Sequence, residues 1–251
     1  MWRLPEKFFL AVCLASIALS AHLAMAQVIE AAPKLVTATY KVYKAGIWIG
    51  TIDERFTRDG EHYKIVSATE TAGPLRLFLR DTLTVTSEGT IGAGGLKPDN
   101  YQFARHNDRK KNISAAFDWD VHQIASRHND ESETFKLPEG TQDRISAMYQ
   151  FMFNIPRATE VNVWMTQGKQ AEQYRYRKVG EPLLTLNKES FATVYCAREA
   201  KQGEAKVHLW LAKEKYFLPI KIVFEDANGG SLEQVLVALH TEQCGAAILI
   251  A

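Results

Sequence analysis

Residues 35–43 read Leu-Val-Thr-Ala-Thr-Tyr-Lys-Val-Tyr, and this stretch decides the fold class. It consists mainly of β-branched and aromatic residues, which suit the half-buried surface of a pleated sheet. Its even-numbered positions, from Val36 to Val42, alternate with more polar neighbours, and a strand points alternate side chains to opposite faces. The stretch therefore predicts a strand that presents its even-numbered side chains to a core.

Similar stretches continue along the chain, separated by short runs of turn residues. Residues 47–56 and 62–71 flank the turn signal Arg58-Asp59-Gly60-Glu61, and this arrangement predicts a hairpin. Four further stretches near the C-terminus predict a meander: residues 191–198, 205–211, 217–224 and 232–240. Many short strands joined by turns favour an all-β fold, either a curled antiparallel sheet or a barrel-like meander.

Two residue types mark irregular positions in these strands. Gly50 lies inside a strand pattern and predicts a bulge or a close approach of another backbone. Pro219 cannot donate a ladder hydrogen bond, so we expect it at a sheet edge or a bulge. Gly46 and Gly50 bracket Trp48 and would let the sheet bend sharply at that ring.

One segment in the middle of the chain has helical rather than strand spacing. Apolar residues recur there every three or four positions, as on one side of a helix: Ile145, Met148, Tyr149 and Met152. Thr141-Gln142-Asp143 supplies capping residues before them, and Pro156 ends the segment. We expect one short helix with this apolar side buried against the sheet.

The N-terminus has the pattern of a cleavable secretory signal. A short basic region precedes residues 8–19, which are apolar apart from one serine, and Ala24-Met25-Ala26 follows as an A-x-A site. We predict a signal peptide over residues 1–26, with cleavage between Ala26 and Gln27. The apolar core is shorter than the roughly 20 residues that span a bilayer. The mature chain is thus expected in a bacterial periplasm and not as a membrane-spanning protein.

Residues 27–251 are expected to form a single all-β domain with balanced charge. This part has 28 basic and 28 acidic side chains. Nucleic-acid-binding proteins usually have a basic excess or stripe, so we expect no nucleic-acid partner. The densest basic run, Arg109-Lys110-Lys111, predicts a solvated turn rather than a phosphate-binding patch.

Cys196 and Cys244 are the two cysteines of the predicted mature chain. In an oxidising compartment an even pair can form a disulfide, and two buried free thiols are the alternative. We predict the disulfide, which would join strands at the two ends of the C-terminal meander. By the chain-entropy account it would contribute about 3–4 kcal/mol to stability.

Three histidines lie near several aspartates in sequence, but their spacing does not match a metal site. His106, His122 and His128 form no H-x-H or H-x-x-x-H pair. The glycine run at residues 92–95 lacks the G-x-G-x-x-G spacing of a nucleotide loop. We therefore expect neither a metal ion nor another cofactor.

Asp118 and Asp120 are the strongest candidates for catalysis. On an extended strand they would share one face and could act as a carboxylate pair in a hydrolase. Their neighbours are, however, typical of a turn, and no G-x-S-x-G or S-x-x-K motif occurs. No catalytic residue is assigned on these grounds, and a carboxylate-based envelope hydrolase is kept as the alternative function.

Five stretches, in order, carry a family resemblance: residues 40–50 (YKVYKAGIWIG), 95–101 (GLKPDNY), 117–119 (FDW), 143–149 (DRISAMY) and 210–220 (WLAKEKYFLPI). Together they resemble the exported bacterial family called domain of unknown function 3108, from about Tyr40 to Leu239. The resemblance implies an all-β exported domain with a curled sheet. It implies no agreed activity and no catalytic residues.

These observations predict a non-enzymatic periplasmic protein. Its partner is expected to be a lipid, a glycan or another protein of the cell envelope. An apolar concavity is the usual form of a ligand site, and a curled sheet has a concave face.

Overall fold

A computed structural model of the protein describes residues 32–77, 81–129, 131–153, 159–198, 200 and 203–243. The predicted signal peptide and Gln27 lie outside these ranges. The strands of the first half are β1 (Leu35–Lys44), β2 (Ile47–Asp59), β3 (His62–Thr71), β4 (Thr82–Gly92), β5 (Gly95–Arg105), β6 (Ile113–Asp118), β7 (Gln123–His128) and β8 (Glu131–Lys136). Those of the second half are β9 (Gln142–Asp143), β10 (Glu160–Thr166), β11 (Ala171–Gly180), β12 (Leu183–Leu186), β13 (Glu189–Arg198), β14 (Lys206–Ala212), β15 (Leu218–Glu225) and β16 (Ser231–Glu242).

The sixteen strands of the described residues belong to one sheet, and within those residues no strand pair closes it on itself. Its order is β8-β7-β6-β5-β4-β3-β2-β1-β16-β15-β14-β13-β11-β10-β9, and β12 pairs with β13. Strand β1 joins the two halves, because it pairs antiparallel with both β2 and β16. The β9–β10 pair is parallel. The predicted curled all-β sheet is confirmed, including its β2–β3 hairpin and its C-terminal meander.

The predicted irregular positions are also confirmed. The β1–β2 register shifts between Val42 and Tyr43, next to Gly50. A Cβ atom added to Gly50 would lie 3.1 Å from the backbone oxygen of Glu70, so the backbones approach closely there. In the β14–β15 pair the register shifts beside Pro219, which places the proline at a bulge. Such bulges bend strands and help the sheet to curl.

The interior is filled by apolar side chains in three clusters. In β1 the even-numbered residues from Val36 to Val42 are buried as predicted. The first cluster is built mainly from β1 to β7 and includes Phe56, Ile65, Tyr101 and Ile124. The second is built mainly from β11 and β13 to β15 and includes Tyr176, Cys196, Leu209 and Ile222. The third joins β1 to β13–β16 and includes Tyr40, Phe191, Ile220 and Leu236.

The predicted helix is present but shorter and more deeply buried than its spacing indicates. Helix α1 (Ser146–Tyr149) is followed by a 3-10 turn over Gln150–Met152. Gln142–Asp143, which was expected to supply capping residues, forms the short strand β9. Ile145 and Tyr149 are buried, but so are Ser146, Ala147 and Gln150, and Met148 and Met152 are only half-buried. The expectation of one buried side is therefore wrong, because the segment lies inside the curl and contacts sheet on several sides.

Pro156, predicted to end the helix, lies outside the described residues. No helical segment in the described ranges has the length and apolar character needed to cross a bilayer.

Candidate functional site: the interior of the curl

The turn between β10 and β11 reaches across the interior and contacts the far side of the sheet. Ser126 of β7 donates a hydrogen bond from its hydroxyl to the backbone oxygen of Gly168. A Cβ atom on Gly168 would lie 2.2 Å from Cγ2 of Ile113, and the φ angle of Gly168 is +87°. Only glycine fits both the conformation and the space. This contact joins the two halves of the sheet, between whose outer strands the described residues form no closing pair.

Apolar side chains line the interior near one end of the curl without being fully covered. Leu83 of β4, Phe103 of β5 and Ile113 of β6 each lie an even number of positions from a buried residue of the same strand. Their side chains therefore point to the same, inward face of the sheet. Each is half-buried and packs against the first cluster. Val163 and Phe224 are half-buried against the second cluster. Inward positions that keep solvent contact indicate a concave apolar surface.

Strand register brings Leu83, Phe103, Ile113 and Phe224 toward a common end of the sheet. Leu83 pairs with Arg105 where β4 begins and β5 ends, and Phe103 pairs with Ile113. Phe224 pairs with Leu232, and the start of β16 lies beside the end of β1. Met148 of α1 packs against both the first and second clusters, and so lies between the two walls. We call Leu83, Phe103, Ile113, Met148, Val163 and Phe224 the apolar lining.

A carboxyl group lies deeper in the same interior. Glu54 takes an inward position of β2, between Ile52 and Phe56. The Tyr149 hydroxyl donates to Oε2 of Glu54 at 3.1 Å, and the Ser67 hydroxyl donates to Oε1 at 3.3 Å. Burial of the carboxyl raises the pKa of Glu54 to about 7, against the lowering effect of these hydrogen bonds and of the nearby Arg144 charge. Glu54 therefore links α1 to the wall of the sheet, and its carboxyl changes protonation around neutral pH.

Asp143 is a second buried acid, and its contacts show a structural role. Its Oδ1 accepts hydrogen bonds from the backbone N–H groups of Ile145 and Ser146, each at 2.9 Å, and so holds the turn that leads into α1, whose N-cap is Ile145. The Ser87 hydroxyl donates to Oδ2 and also contacts the Tyr63 hydroxyl at 3.1 Å. Burial raises the pKa of Asp143, and the hydrogen bonds from Ser146, Ser87 and Ile145 oppose that rise.

Replacing Glu54 with glutamine should change how stability depends on pH. Because the folded-state pKa of Glu54 is raised to about 7, the protonated carboxyl favours the fold below its unfolded value of 4.5, and this contribution is lost as pH rises through about 7. We expect Glu54→Gln to be more stable than the native protein at pH 8 by about 2 kcal/mol, allowing for partial exposure, and near-equal to it at pH 4.5. Urea unfolding across this range measures the difference. A constant difference at all pH values would contradict the assignment.

Asp118 and Asp120 do not form a carboxylate pair on one strand face. Asp118 ends β6, and Asp120 lies in the following turn. Oδ1 of Asp118 accepts hydrogen bonds from the backbone N–H groups of Asp120 at 3.1 Å and Val121 at 3.2 Å. Both aspartates are exposed. The segment is a turn, as its neighbouring residues indicate, and Asp118 stabilises it. The extended strand that the hydrolase alternative requires is therefore not formed at these two residues.

The three histidines are spread over the edge of the sheet. His106 follows β5, His122 lies in the β6–β7 turn with a φ of +54°, and His128 ends β7. Among the residues that the structure describes, no group of three histidine, cysteine or acidic side chains is placed to hold a metal ion.

Cys196 lies in β13, where its side chain is buried in the second cluster. Burial raises the pKa of Cys196 to about 11, so a free thiol there stays protonated at neutral pH. Cys244 is outside the described residues, and the disulfide stays a prediction. Since β14 and β15 separate β13 from β16, a bridge requires the chain after β16 to return across two strands.

Thiol titration of the mature protein in denaturant, without reductant, tests this disulfide. If the disulfide forms, we expect no reactive thiol in the native sequence and one in a Cys244→Ser variant. Two reactive thiols in the native sequence would establish the alternative of two free cysteines.

Glu54, Gly168 and the apolar lining are the features that sequence patterns did not assign to a site. For Glu54 a signal was present, because an acid between inward-facing Ile52 and Phe56 breaks the alternation of the strand. Gly168 lies in a turn that resembles many others in the sequence. Its contact with Ile113 joins residues far apart in the chain.

Comparison with solved structures finds matches at low sequence identity. A β-barrel-like protein of domain of unknown function DUF1849 from Brucella abortus matches with a TM-score of 0.54 and 10% identity, covering 84% of this chain and 98% of that chain. A putative lipoprotein from Parabacteroides distasonis matches with a TM-score of 0.37 and 9% identity, covering 83% of this chain and 96% of that chain. The first likeness shows a shared fold alone.

Comparison of sequences gives a family but no characterised relative. No protein of the curated set matches the chain. The family model described as "Protein of unknown function (DUF3108)" matches residues 39–237, which is most of the chain and agrees with the resemblance drawn from its motifs. The chain belongs to this family.

Proposed function

We propose that the protein is exported to the periplasm, where it binds a lipid or a similar apolar ligand in the interior of its curled sheet. The apolar lining is the observation that carries this proposal. Its side chains point inward but keep solvent contact, as in a site that an apolar ligand completes. Such a surface favours a lipid over a glycan, because a glycan needs a dense set of polar partners.

Export rests on the N-terminal pattern, and it has its own test. We expect the mature protein recovered from a bacterial periplasm to begin at Gln27. N-terminal sequencing that finds residues 1–26 still attached would contradict processing.

Binding is tested with the neutral fluorescent probe N-phenyl-1-naphthylamine and the mature protein. We expect saturable binding to the native protein and about fivefold weaker binding to Leu83→Gln, because a polar amide would replace an apolar contact with the probe. Val121→Gln is the matched control, since Val121 is 59% exposed in the β6–β7 turn, away from the lining. Thermal unfolding of both variants verifies that they fold.

The absence of saturable binding, or equal weakening by both substitutions, would contradict a ligand site in the interior. A protein partner that covers the apolar end would instead show as a stable complex without probe binding.

A further inference from the structure

Aromatic side chains form a stack on the outer face of β13 and β14. Tyr195, His208 and Trp210 alternate along these strands with Cys196 and Leu209, which are buried in the second cluster, so the two sets point to opposite faces. Tyr195 and Trp210 pair across the strands, with ring centroids 4.7 Å apart and planes 15° apart. This separation matches the spacing of neighbouring strands, so the two rings stand upright and stack face to face.

The stack is held from the side of β14 and β15. Lys221 pairs with Trp210 and places its ammonium group over that ring, 5.5 Å from the centroid. The His208 ring lies 6.0 Å from the Tyr195 ring, and the Tyr195 hydroxyl forms a hydrogen bond of 2.8 Å with Nδ1 of His208. These contacts cover one face of the Tyr195 ring and fix its orientation.

The other face of the Tyr195 ring is turned toward β11, where the cross-strand partner of Tyr195 is Gly180. Apart from the chain neighbours of Gly180, nothing lies within 4 Å of the position that a Cβ atom would take there. A slot with one aromatic wall is therefore open between Tyr195 and the backbone of β11. We call it the tyrosine slot. A flat ring placed in it continues the stack.

Polar side chains adjoin the tyrosine slot on the same face of the sheet. Two positions along β13 from Tyr195, Ala197 pairs with Arg177, which pairs in turn with Glu160 of β10. The next outward pair is Asn162 with Arg175. These residues line a cleft of about 430 Å³ that extends to the end of β13 and the β13–β14 loop. Their amide, guanidinium and carboxyl groups provide both donors and acceptors of hydrogen bonds.

We propose that the outer face of the sheet binds a glycan, with one pyranose ring stacked on Tyr195 in the tyrosine slot. A pyranose has an apolar C–H face that packs on an aromatic ring, and hydroxyl groups at its rim that bind polar side chains. The slot provides the first contact, and Asn162, Arg175 and Arg177 provide the second. An aromatic side chain of a protein partner would also stack on Tyr195, but it offers few partners to these polar groups. The site lies on the opposite face from the apolar lining, so it is separate from ligand binding in the interior.

Titration of the mature protein with chitotetraose and cellotetraose by calorimetry tests this site. We expect at least one of these oligosaccharides to bind with a millimolar or tighter dissociation constant. Gly180→Val fills the tyrosine slot and should weaken binding about tenfold or more. The variant should keep the fold, because Gly180 does not have a left-handed φ and the added Cβ meets open space. Gly92→Val is the matched control: Gly92 has the same two properties, also ends a strand, and lies away from the slot.

Two substitutions of Tyr195 separate ring stacking from hydrogen bonding. Tyr195→Phe keeps the ring and should bind within about twofold of the native protein, whereas Tyr195→Ala should weaken binding as much as Gly180→Val does. Binding of N-phenyl-1-naphthylamine should be unchanged in all of these variants, because the apolar lining is on the other face. The outcome is therefore independent of the proposed function.

Two results would overturn the glycan site. One is the absence of binding by both oligosaccharides at millimolar concentration, and the other is equal binding by the native protein and Gly180→Val. An envelope protein that binds the native chain but not Gly180→Val, without any oligosaccharide binding, would replace the glycan by an aromatic side chain of a partner.

Discussion

Replacing Gly168 with alanine is expected to destabilise the protein by about 2–4 kcal/mol. The added Cβ atom would lie 2.2 Å from Cγ2 of Ile113, and alanine would have to adopt a φ of +87°. The β10–β11 turn must then move away from β6 and β7, and the hydrogen bond from Ser126 to Gly168 is lost with it. Equilibrium unfolding in urea measures the loss.

Two comparisons separate the contact from the backbone conformation. Gly203 has a φ of +84°, and a Cβ atom added there would meet nothing within 4 Å, so Gly203→Ala carries the conformational cost alone. In an Ile113→Ala background, Gly168→Ala should cost less than in the native protein, because the clashing methyl group is gone. Equal losses for Gly168→Ala and Gly203→Ala would contradict the bridging contact across the interior.

Replacing Met148 with aspartate is expected to destabilise the protein by about 3–5 kcal/mol. Met148 packs against both the first and second clusters, so the substitution places a carboxylate between two apolar walls. Glu54 and Asp143 already place acid groups near α1, and Arg144, which precedes the helix, is exposed to solvent. Thermal and urea unfolding report the change.

Met148→Leu is the matched control for this substitution. It keeps apolar character and similar volume, and should cost less than about 1.5 kcal/mol. Stability unchanged by Met148→Asp would mean that α1 lies on the outside of the sheet and does not fill the interior.

The sheet was predictable because strand periodicity is a local property. Alternation in residues 35–43 identified both the strand and its buried side, and the turn at Gly60 identified the β2–β3 hairpin. Pro219 and Gly50 marked bulges for the same reason. The N–H donor that Pro219 lacks and the side chain that Gly50 lacks each change the strand at that residue, so the effect can be predicted from the local sequence.

The interior was not predictable because its contacts join distant residues. Helical spacing around Met148 indicates an apolar side, but it does not show that sheet lies on both sides of α1. The run Arg109-Lys110-Lys111 was correctly predicted as an exposed turn. The pairing of Phe103 with Ile113 beneath this turn depends on the register of β5 against β6, which joins residues ten positions apart in the chain.

Mass spectrometry of bound lipid tests the central claim most directly. The mature protein is purified from periplasm without detergent, extracted with organic solvent, and compared with Leu83→Gln prepared in the same way. Binding in the interior predicts a lipid or fatty acid at near-stoichiometric amount in the native protein and less of it in the variant. An extract that holds no more lipid than that of an unrelated periplasmic protein would contradict the claim.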